Sequence, residues 1–139
     1  MKFLLCSILF LTCSIQKVWA LDLIDKNAEN CIRKAPNHAR VLECASHAEV
    51  EWDKKLNYYY KLLYNSLPPN GKQRLKASQL NWLKFRDSEF QFISGAPYPK
   101  DWATAGNMWS ELDINYDTEL IKERALQLKA YYETFRESK

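Results

Sequence analysis

A long stretch of helical periodicity that ends at two adjacent prolines is the feature that most constrains the fold of this chain. From about Ala39 to Leu67, one stripe of mainly apolar residues advances in steps of three and four, which is the spacing of one helix face. The sequence Pro68-Pro69-Asn70-Gly71 then ends that helix, because proline cannot continue a helix and glycine can turn the chain. A second helical stretch runs from about Gly71 to Ile93. Two long helices with so short a break are antiparallel neighbours, so the sequence predicts a long helical hairpin.

Two further helices and one irregular segment complete the predicted fold. A short helix spans Asp22–Lys34, and the last helix spans about Asp117–Arg136. Ser94–Asp113 holds two of the five prolines and two of the three glycines, so we expect a long loop there, with a helical turn at Ala103–Trp109. No stretch has the alternation of a strand. The predicted fold class is all-α: a small helical bundle built on a long antiparallel helical hairpin.

The first twenty residues have the pattern of an export signal. A positive start, an apolar run from Phe3 to Ile15 and a short small-residue end at Ala20 predict a signal peptide over residues 1–20 and one domain over residues 21–139. The apolar run is shorter than the about 20 residues of a membrane-spanning helix. The alternatives are a retained anchor and lipidation of Cys13, although the residues before Cys13 fit a lipidation signal poorly. We therefore expect a periplasmic or secreted protein with no membrane span in the mature chain.

The charge left after cleavage is nearly neutral. The full chain has 20 Lys and Arg against 17 Asp and Glu. Lys2 and Lys17 lie in the export segment, which leaves 18 basic residues and a net charge of +1. Such a chain lacks the broad basic surface with which proteins bind nucleic acid or anionic membranes, so we expect neither partner.

Two cysteines remain in the mature chain, Cys31 and Cys44. In an exported protein they most simply form one disulfide, which for a loop of this length stabilises the fold by roughly 3 kcal/mol. A reduced pair is one alternative, and a zinc site that also uses His38 and His47 is another. The order of these four residues resembles no common zinc site, so we expect a disulfide in the N-terminal part and no metal.

No catalytic or cofactor-binding motif of a known type occurs in the chain. The patterns G-x-S-x-G, H-E-x-x-H, the P-loop and the dinucleotide fingerprint are all missing. The carboxylate pairs Glu49/Asp53 and Asp113/Asp117 have the i, i+4 spacing that is typical of a solvated helix face. The sequence therefore predicts a binding protein without a cofactor, and not an enzyme.

Polar residues also occur at spacings that face the predicted hairpin. Asp53 and Asn57 lie on one face of the first long helix, and Gln79 and Arg86 lie on one face of the second. Residues equally far from the turn meet in an antiparallel hairpin, so we expect Asp53 to pair with Arg86 and Asn57 to pair with Gln79. Such pairs would fix the register of the two helices, and the alternative is a patch that faces a partner. The same two faces also carry Tyr60, Tyr64 and Trp82.

The irregular segment contains the remaining aromatic candidates. Tyr98, Trp102 and Trp109 lie there together with Lys100. Aromatic anchors beside a cation are typical of binding hot spots, which makes this segment a candidate partner-binding loop. The alternative is that the two tryptophans fill the open end of the bundle.

Residues spread over nearly the whole mature chain match a known pattern. They are Glu43-Cys44-Ala45, Trp52-Asp53, Leu56-Asn57, Tyr60, Leu75, Gln79, Trp82, Arg86-Asp87 and Arg124 with Leu128. This set resembles the LprI-like lysozyme-inhibitor family of exported bacterial proteins. The resemblance implies a polar network of family residues, which here are Asp53, Asn57, Tyr60, Gln79, Trp82, Arg86, Asp87 and Arg124.

The chain departs from that family at one pair of cysteines. The family continues Arg-Asp-x-Glu-Cys, whereas Phe90 occupies the cysteine position after Arg86-Asp87, and the later cysteine before the last helix is also missing. We therefore expect Ser94–Asp113 to be held by packing alone, with one disulfide fewer than in the family.

The resemblance implies a protein that binds and blocks lysozyme-type muramidases. Such an inhibitor must cover a cleft that contains two catalytic carboxylates. Lys100, or an arginine near a helix end, is the kind of side chain that could enter this cleft. A near-neutral chain offers little long-range attraction to a cationic lysozyme. Two other classes stay open, a small-molecule carrier with a pocket beside Trp102 and Trp109, and an envelope adaptor that docks through the loop.

Overall fold

Four helices make up the part of the chain that the structure describes. The computed structural model describes residues 22–95 and 106–137, with side chains from residue 112 onward in the second range. Every regular element in these two ranges is an α-helix, which confirms the all-α class. The helices are α1 (Leu23–Arg33), α2 (His38–Ser66), α3 (Pro69–Gly95) and α4 (Gly106–Glu137).

Side-chain caps set the starts of α1 and α2. A carboxylate oxygen of Asp22 accepts from the backbone N–H of Ile24 at 3.1 Å, and the amide oxygen of Asn37 accepts from the N–H of Arg40 at 3.0 Å. The first N–H groups of a helix have no partner inside the helix, so each cap contributes about 1 kcal/mol.

The break between α2 and α3 is shorter than the sequence predicts. α2 ends at Ser66, and Pro69 is the first residue of α3, a position where the missing N–H of proline is not needed. Gly71 therefore lies inside α3 and does not turn the chain. A Cβ at Gly71 would lie 3.2 Å from Cβ of Leu67, so the small residue allows the close corner.

The closest packing in the bundle is between α2 and α4. α3 comes near either helix at only a few positions, and Leu75 is its one buried residue. The predicted α2–α3 hairpin is therefore not confirmed as the basis of the bundle. Polar and aromatic side chains of both helices line the space between α2 and α3. The core consists of Trp52, Leu56, Leu63, Leu75, Ile121, Ala125 and Leu128.

The N-terminal helix α1 is joined to the bundle by a disulfide and by polar contacts. Cys31 and Cys44 are bonded, with their Cα atoms 5.8 Å apart, which confirms the predicted pairing. The indole Nε1 of the fully buried Trp52 donates to Oδ1 of Asp25 at 2.9 Å. Lys122 of α4 lies 3.1 Å from the other oxygen of Asp25, so one carboxylate connects three helices.

The irregular segment is shorter than predicted, because the last helix begins at Gly106 and not near Asp117. No proline or glycine occurs between residues 107 and 137, so nothing in that stretch breaks a helix. Residues 106–113 of the predicted loop are helical; residues 106–109 belong to the helical turn predicted within it, and residues 110–113 differ from the prediction. None of the helices in the described ranges is both long and apolar enough to span a membrane.

Candidate functional site

Arg124 of α4 is a buried cation held by uncharged side chains. It is only 6% exposed. Its Nε donates to Oε1 of Gln79 at 3.0 Å, its Nη1 to Oε1 of Gln127 at 2.5 Å, and its Nη2 to Oγ of Ser78 at 3.3 Å. Burial lowers the pKa of Arg124, but arginine stays protonated in proteins. Two residues of α3 are therefore fixed to α4 through one guanidinium group.

Arg86 of α3 lies between two aromatic rings. Its guanidinium carbon is 5.6 Å from the ring centroid of Trp82 and 5.6 Å from that of Phe90, within the range of cation–π attraction. Its Nε and Nη2 both donate to Oδ1 of the adjacent Asp87, at 3.0 and 2.6 Å. Phe90, which stands where the family pattern has a cysteine, thus makes a cation–π contact with the arginine of that pattern.

Asp53 and Asn57 bond each other within α2. Nδ2 of Asn57 donates to Oδ2 and to the backbone carbonyl of Asp53, both at 2.9 Å. The predicted cross-helix pairs, Asp53 with Arg86 and Asn57 with Gln79, are therefore wrong. Asp53, Asn57 and Arg86 bond to neighbours on their own helices, and Gln79 bonds to Arg124 of α4.

A groove remains between α2 and α3 where the predicted pairs would have met. It has a volume of about 250 Å³. We call it the α2–α3 groove; it is lined by Asp53, Leu56, Asn57, Tyr60, Lys76, Gln79, Leu80, Trp82, Leu83 and Arg86. Six of the eight polar-network residues that the family resemblance implies line this groove, and Arg124 reaches it by way of Gln79. The structure thus brings most of these residues together around an open space.

Two carboxylates, Glu49 of α2 and Asp113 of α4, act on a third, Asp117 of α4, and the positive charge of Arg86 acts against them. Burial, and then Glu49 and Asp113, raise the pKa of Asp117 to about 6, while Arg86 opposes the shift. Burial, and then Asp53, raise the pKa of Glu49. Oδ1 of Asp117 is buried and has no hydrogen-bond partner in the described part of the chain. The solvated face predicted for these pairs is therefore wrong for Glu49 and Asp117.

This acidic group is not arranged for a metal. Across residues 22–95 and 106–137, no group of three or more His, Cys, Asp or Glu side chains is placed to hold a metal ion. The helical i, i+4 spacing gave no signal for the burial of Asp117, because burial here depends on how α4 packs against α2. The partners of Arg124 on α3 and α4, Ser78 and Gln127, were likewise missed.

The candidate partner-binding loop cannot be placed with the groove. Tyr98, Lys100 and Trp102 lie outside the described residues, as does the side chain of Trp109. Their role in binding stays a prediction from the sequence.

Comparison with known proteins assigns the chain to a family. The family model described as "Lysozyme inhibitor LprI" matches residues 31–128. No curated protein and no solved structure matches the chain. The matched range starts at Cys31, the first cysteine of the disulfide, and ends at the fully buried Leu128. It contains all the polar residues that line the α2–α3 groove, and the chain therefore belongs to the LprI lysozyme inhibitor family.

Proposed function

We propose that this protein is an exported inhibitor of lysozyme-type muramidases, which acts by covering their active-site cleft. The observation that carries the proposal is the family match over residues 31–128. In this function the protein binds its target and catalyses no reaction.

Exposed aromatic side chains support contact with another protein. Phe85 and Phe92 of α3 are 50% and 69% exposed, and Tyr116 of α4 is 61% exposed. Phe85 and Phe92 are seven residues apart, about two helical turns, and so share one face. Large apolar side chains on a surface are typical of interaction sites when they lie on one face. We also propose that Tyr98, Lys100, Trp102 and Trp109 contact the muramidase.

The disulfide supports export. Disulfides persist in oxidising compartments such as the periplasm and the extracellular space. We propose that residues 1–20 are a signal peptide and that the mature protein begins at Leu21. The mass of the protein recovered from the periplasm or medium tests this, and a chain that still contains residues 1–20 would contradict it.

A lysis assay tests the inhibition itself. Purified protein is mixed with muramidases of the main lysozyme classes, and the clearing of a peptidoglycan suspension is followed by turbidity. We expect the rate to fall for at least one class and to reach a plateau near one equivalent of protein. Undiminished lysis by every class at high molar excess would refute the proposal.

A pair of variants tests the three proposed aromatic contacts separately. The triple change Tyr98→Ala, Trp102→Ala and Trp109→Ala should weaken inhibition, because it removes the proposed anchors. Tyr58→Ala removes an aromatic side chain from α2 that is 57% exposed and serves as the matched control. Equal inhibition by the triple variant and the control would show that these three aromatic side chains are not part of the binding surface.

A further inference from the structure

We propose that the α2–α3 groove receives a carboxylate side chain, Asp or Glu, from the surface of the protein partner. This inference deepens the proposed function, on which it rests for the identity of the partner as a muramidase.

The first reason is an excess of free hydrogen-bond donors. Five donors on groove residues make no hydrogen bond within the described part of the chain. None of the five is among the buried polar atoms that lack a partner. Each is therefore open to water and available to a ligand. They are the hydroxyl of Tyr60, the ammonium of Lys76, Nε2 of Gln79, Nε1 of Trp82 and Nη1 of Arg86.

The second reason is that groove acceptors are already in use. Oδ2 of Asp53 accepts from Asn57 at 2.9 Å, and Oε1 of Gln79 accepts from Arg124 at 3.0 Å. The acceptors of Asp53 and Asn57 that take part in no such bond are the Oδ1 atoms of both residues. A carboxylate has only acceptor sites, about four on its two oxygens, so it complements this donor set better than an amine or a guanidinium.

One cation of the groove favours the same ligand. Lys76 lines the groove and has no ion-pair partner in the described part of the chain. Arg86 also lines it, but this cation is paired with Asp87 at 2.6 Å and acts on Glu49 and Asp117. A further cation, Arg124, lies behind the groove wall, with its guanidinium carbon 5.8 Å from the ring centroid of Trp82. An anion that enters the groove therefore gains charge-assisted hydrogen bonds, which are about twice as strong as neutral ones.

The size of the groove favours a side chain over a small molecule. Its volume of about 250 Å³ is below the roughly 300–1,000 Å³ of typical small-molecule pockets. Tyr60 and Trp82 supply aromatic walls against which the methylene groups of a glutamate can pack. One acidic side chain on a partner surface therefore fits both the chemistry and the space.

A titration with the isolated ligand group tests the site without a muramidase. The full chain, labelled with ¹⁵N, is titrated with N-acetyl-glutamate amide and, separately, with N-acetyl-glutamine amide. We expect the glutamate compound to shift the NMR signals of the Trp82 indole N–H and the Gln79 side-chain amide with a Kd on the order of millimolar. The uncharged compound of the same shape should bind at least about tenfold more weakly. Equal shifts with both compounds, or tighter binding of N-acetylglucosamine, would overturn the proposal.

Two charge-reversal variants locate the effect in the groove. Lys76→Glu reverses an exposed groove cation that makes no ion pair in the described part of the chain, so the variant should fold normally. The NMR shifts that the glutamate compound causes should disappear in this variant. Lys84→Glu makes the same charge change on the same helix outside the groove and should keep them. In a binding assay with an inhibited muramidase, Lys76→Glu should weaken affinity about tenfold or more relative to Lys84→Glu.

The outcomes separate the two proposals. If the protein inhibits a muramidase but Lys76→Glu binds it as tightly as Lys84→Glu, the groove assignment is overturned and the proposed function stands. If no muramidase is inhibited but glutamate still binds at Trp82 and Gln79, the proposed function is refuted and the groove still selects a carboxylate.

Discussion

Nε of Arg124 on α4 donates to Oε1 of Gln79 on α3 at 3.0 Å, and this bond is one of the few links that the described side chains make between the two helices. α3 has a single buried residue, Leu75, so little apolar burial holds it in place. The position of α3, and with it the shape of the α2–α3 groove, therefore depends on polar contacts of a buried guanidinium.

The change Gln79→Ala tests that dependence. We expect it to lower the free energy of unfolding by about 1–3 kcal/mol, because the buried guanidinium of Arg124 loses an acceptor. Urea unfolding measures the change. Gln73→Ala alters an exposed glutamine of the same helix and should change stability by less than about 0.5 kcal/mol. Equal effects of the two variants would show that the Arg124 bond does not hold α3.

The disulfide between Cys31 and Cys44 gives a second prediction. The two residues are 13 positions apart, and opening a loop of this length should cost roughly 3 kcal/mol. We expect the double variant Cys31→Ser/Cys44→Ser to unfold at a lower urea concentration than the unchanged protein. Adding a reductant should shift the unchanged protein to the same midpoint and leave the variant where it is. A midpoint that reductant does not move in either protein would mean that the bond contributes no stability.

Helix positions were predictable because their signals are local. α1 and α2 differ from their predicted bounds by one residue at each end, since Asp22 and Asn37 cap them and apolar spacing continues to their ends. α4 was misjudged at its start, because Gly106 begins a helix there although glycine is usually a helix breaker.

The partners of polar residues were not predictable in the same way. Asp53 and Asn57 have i, i+4 spacing, and Arg86 and Asp87 are adjacent, so local pairing was visible as an option. Whether a side chain bonds on its own helix or across to another depends on the distance between helices. That distance depends on which helix packs closely on α2. The apolar stripes of α3 and α4 leave this choice open.

The raised pKa of Asp117 predicts how stability varies with pH. Its folded-state pKa of about 6 lies above the ordinary value of 3.8. The folded protein therefore binds this proton more tightly than the unfolded chain does. The resulting stability is fully present below about pH 4 and is lost as the pH rises through about 6.

The change Asp117→Asn keeps the shape of the side chain without its charge. We expect it to raise the free energy of unfolding at pH 7.5 by on the order of 1–2 kcal/mol, a value reduced for solvent screening, and to have little effect at pH 4. Glu123→Gln removes an exposed carboxylate of the same helix and is the control. A gain for Asp117→Asn that is as large at pH 4 as at pH 7.5 would contradict the assignment.

Arg86 connects this acidic group to the aromatic stack. Its positive charge opposes the rise in the pKa of both Glu49 and Asp117, and its guanidinium carbon lies 5.6 Å from the ring centroids of Trp82 and Phe90. Arg86→Gln removes the charge and keeps a polar side chain of similar reach. Without that charge, burial and the carboxylates of Glu49 and Asp113 would all disfavour ionisation of Asp117.

We therefore expect Arg86→Gln to raise the pKa of Asp117 further above its ordinary value. ¹³C NMR of the Asp117 carboxyl carbon over a pH series measures the midpoint directly. Lys84→Gln removes one cation from the exposed face of the same helix and should leave that midpoint nearly unchanged, because solvent screens distant charges. If both variants moved the midpoint equally, the effect would come from net charge and not from the stacked guanidinium beside the three carboxylates.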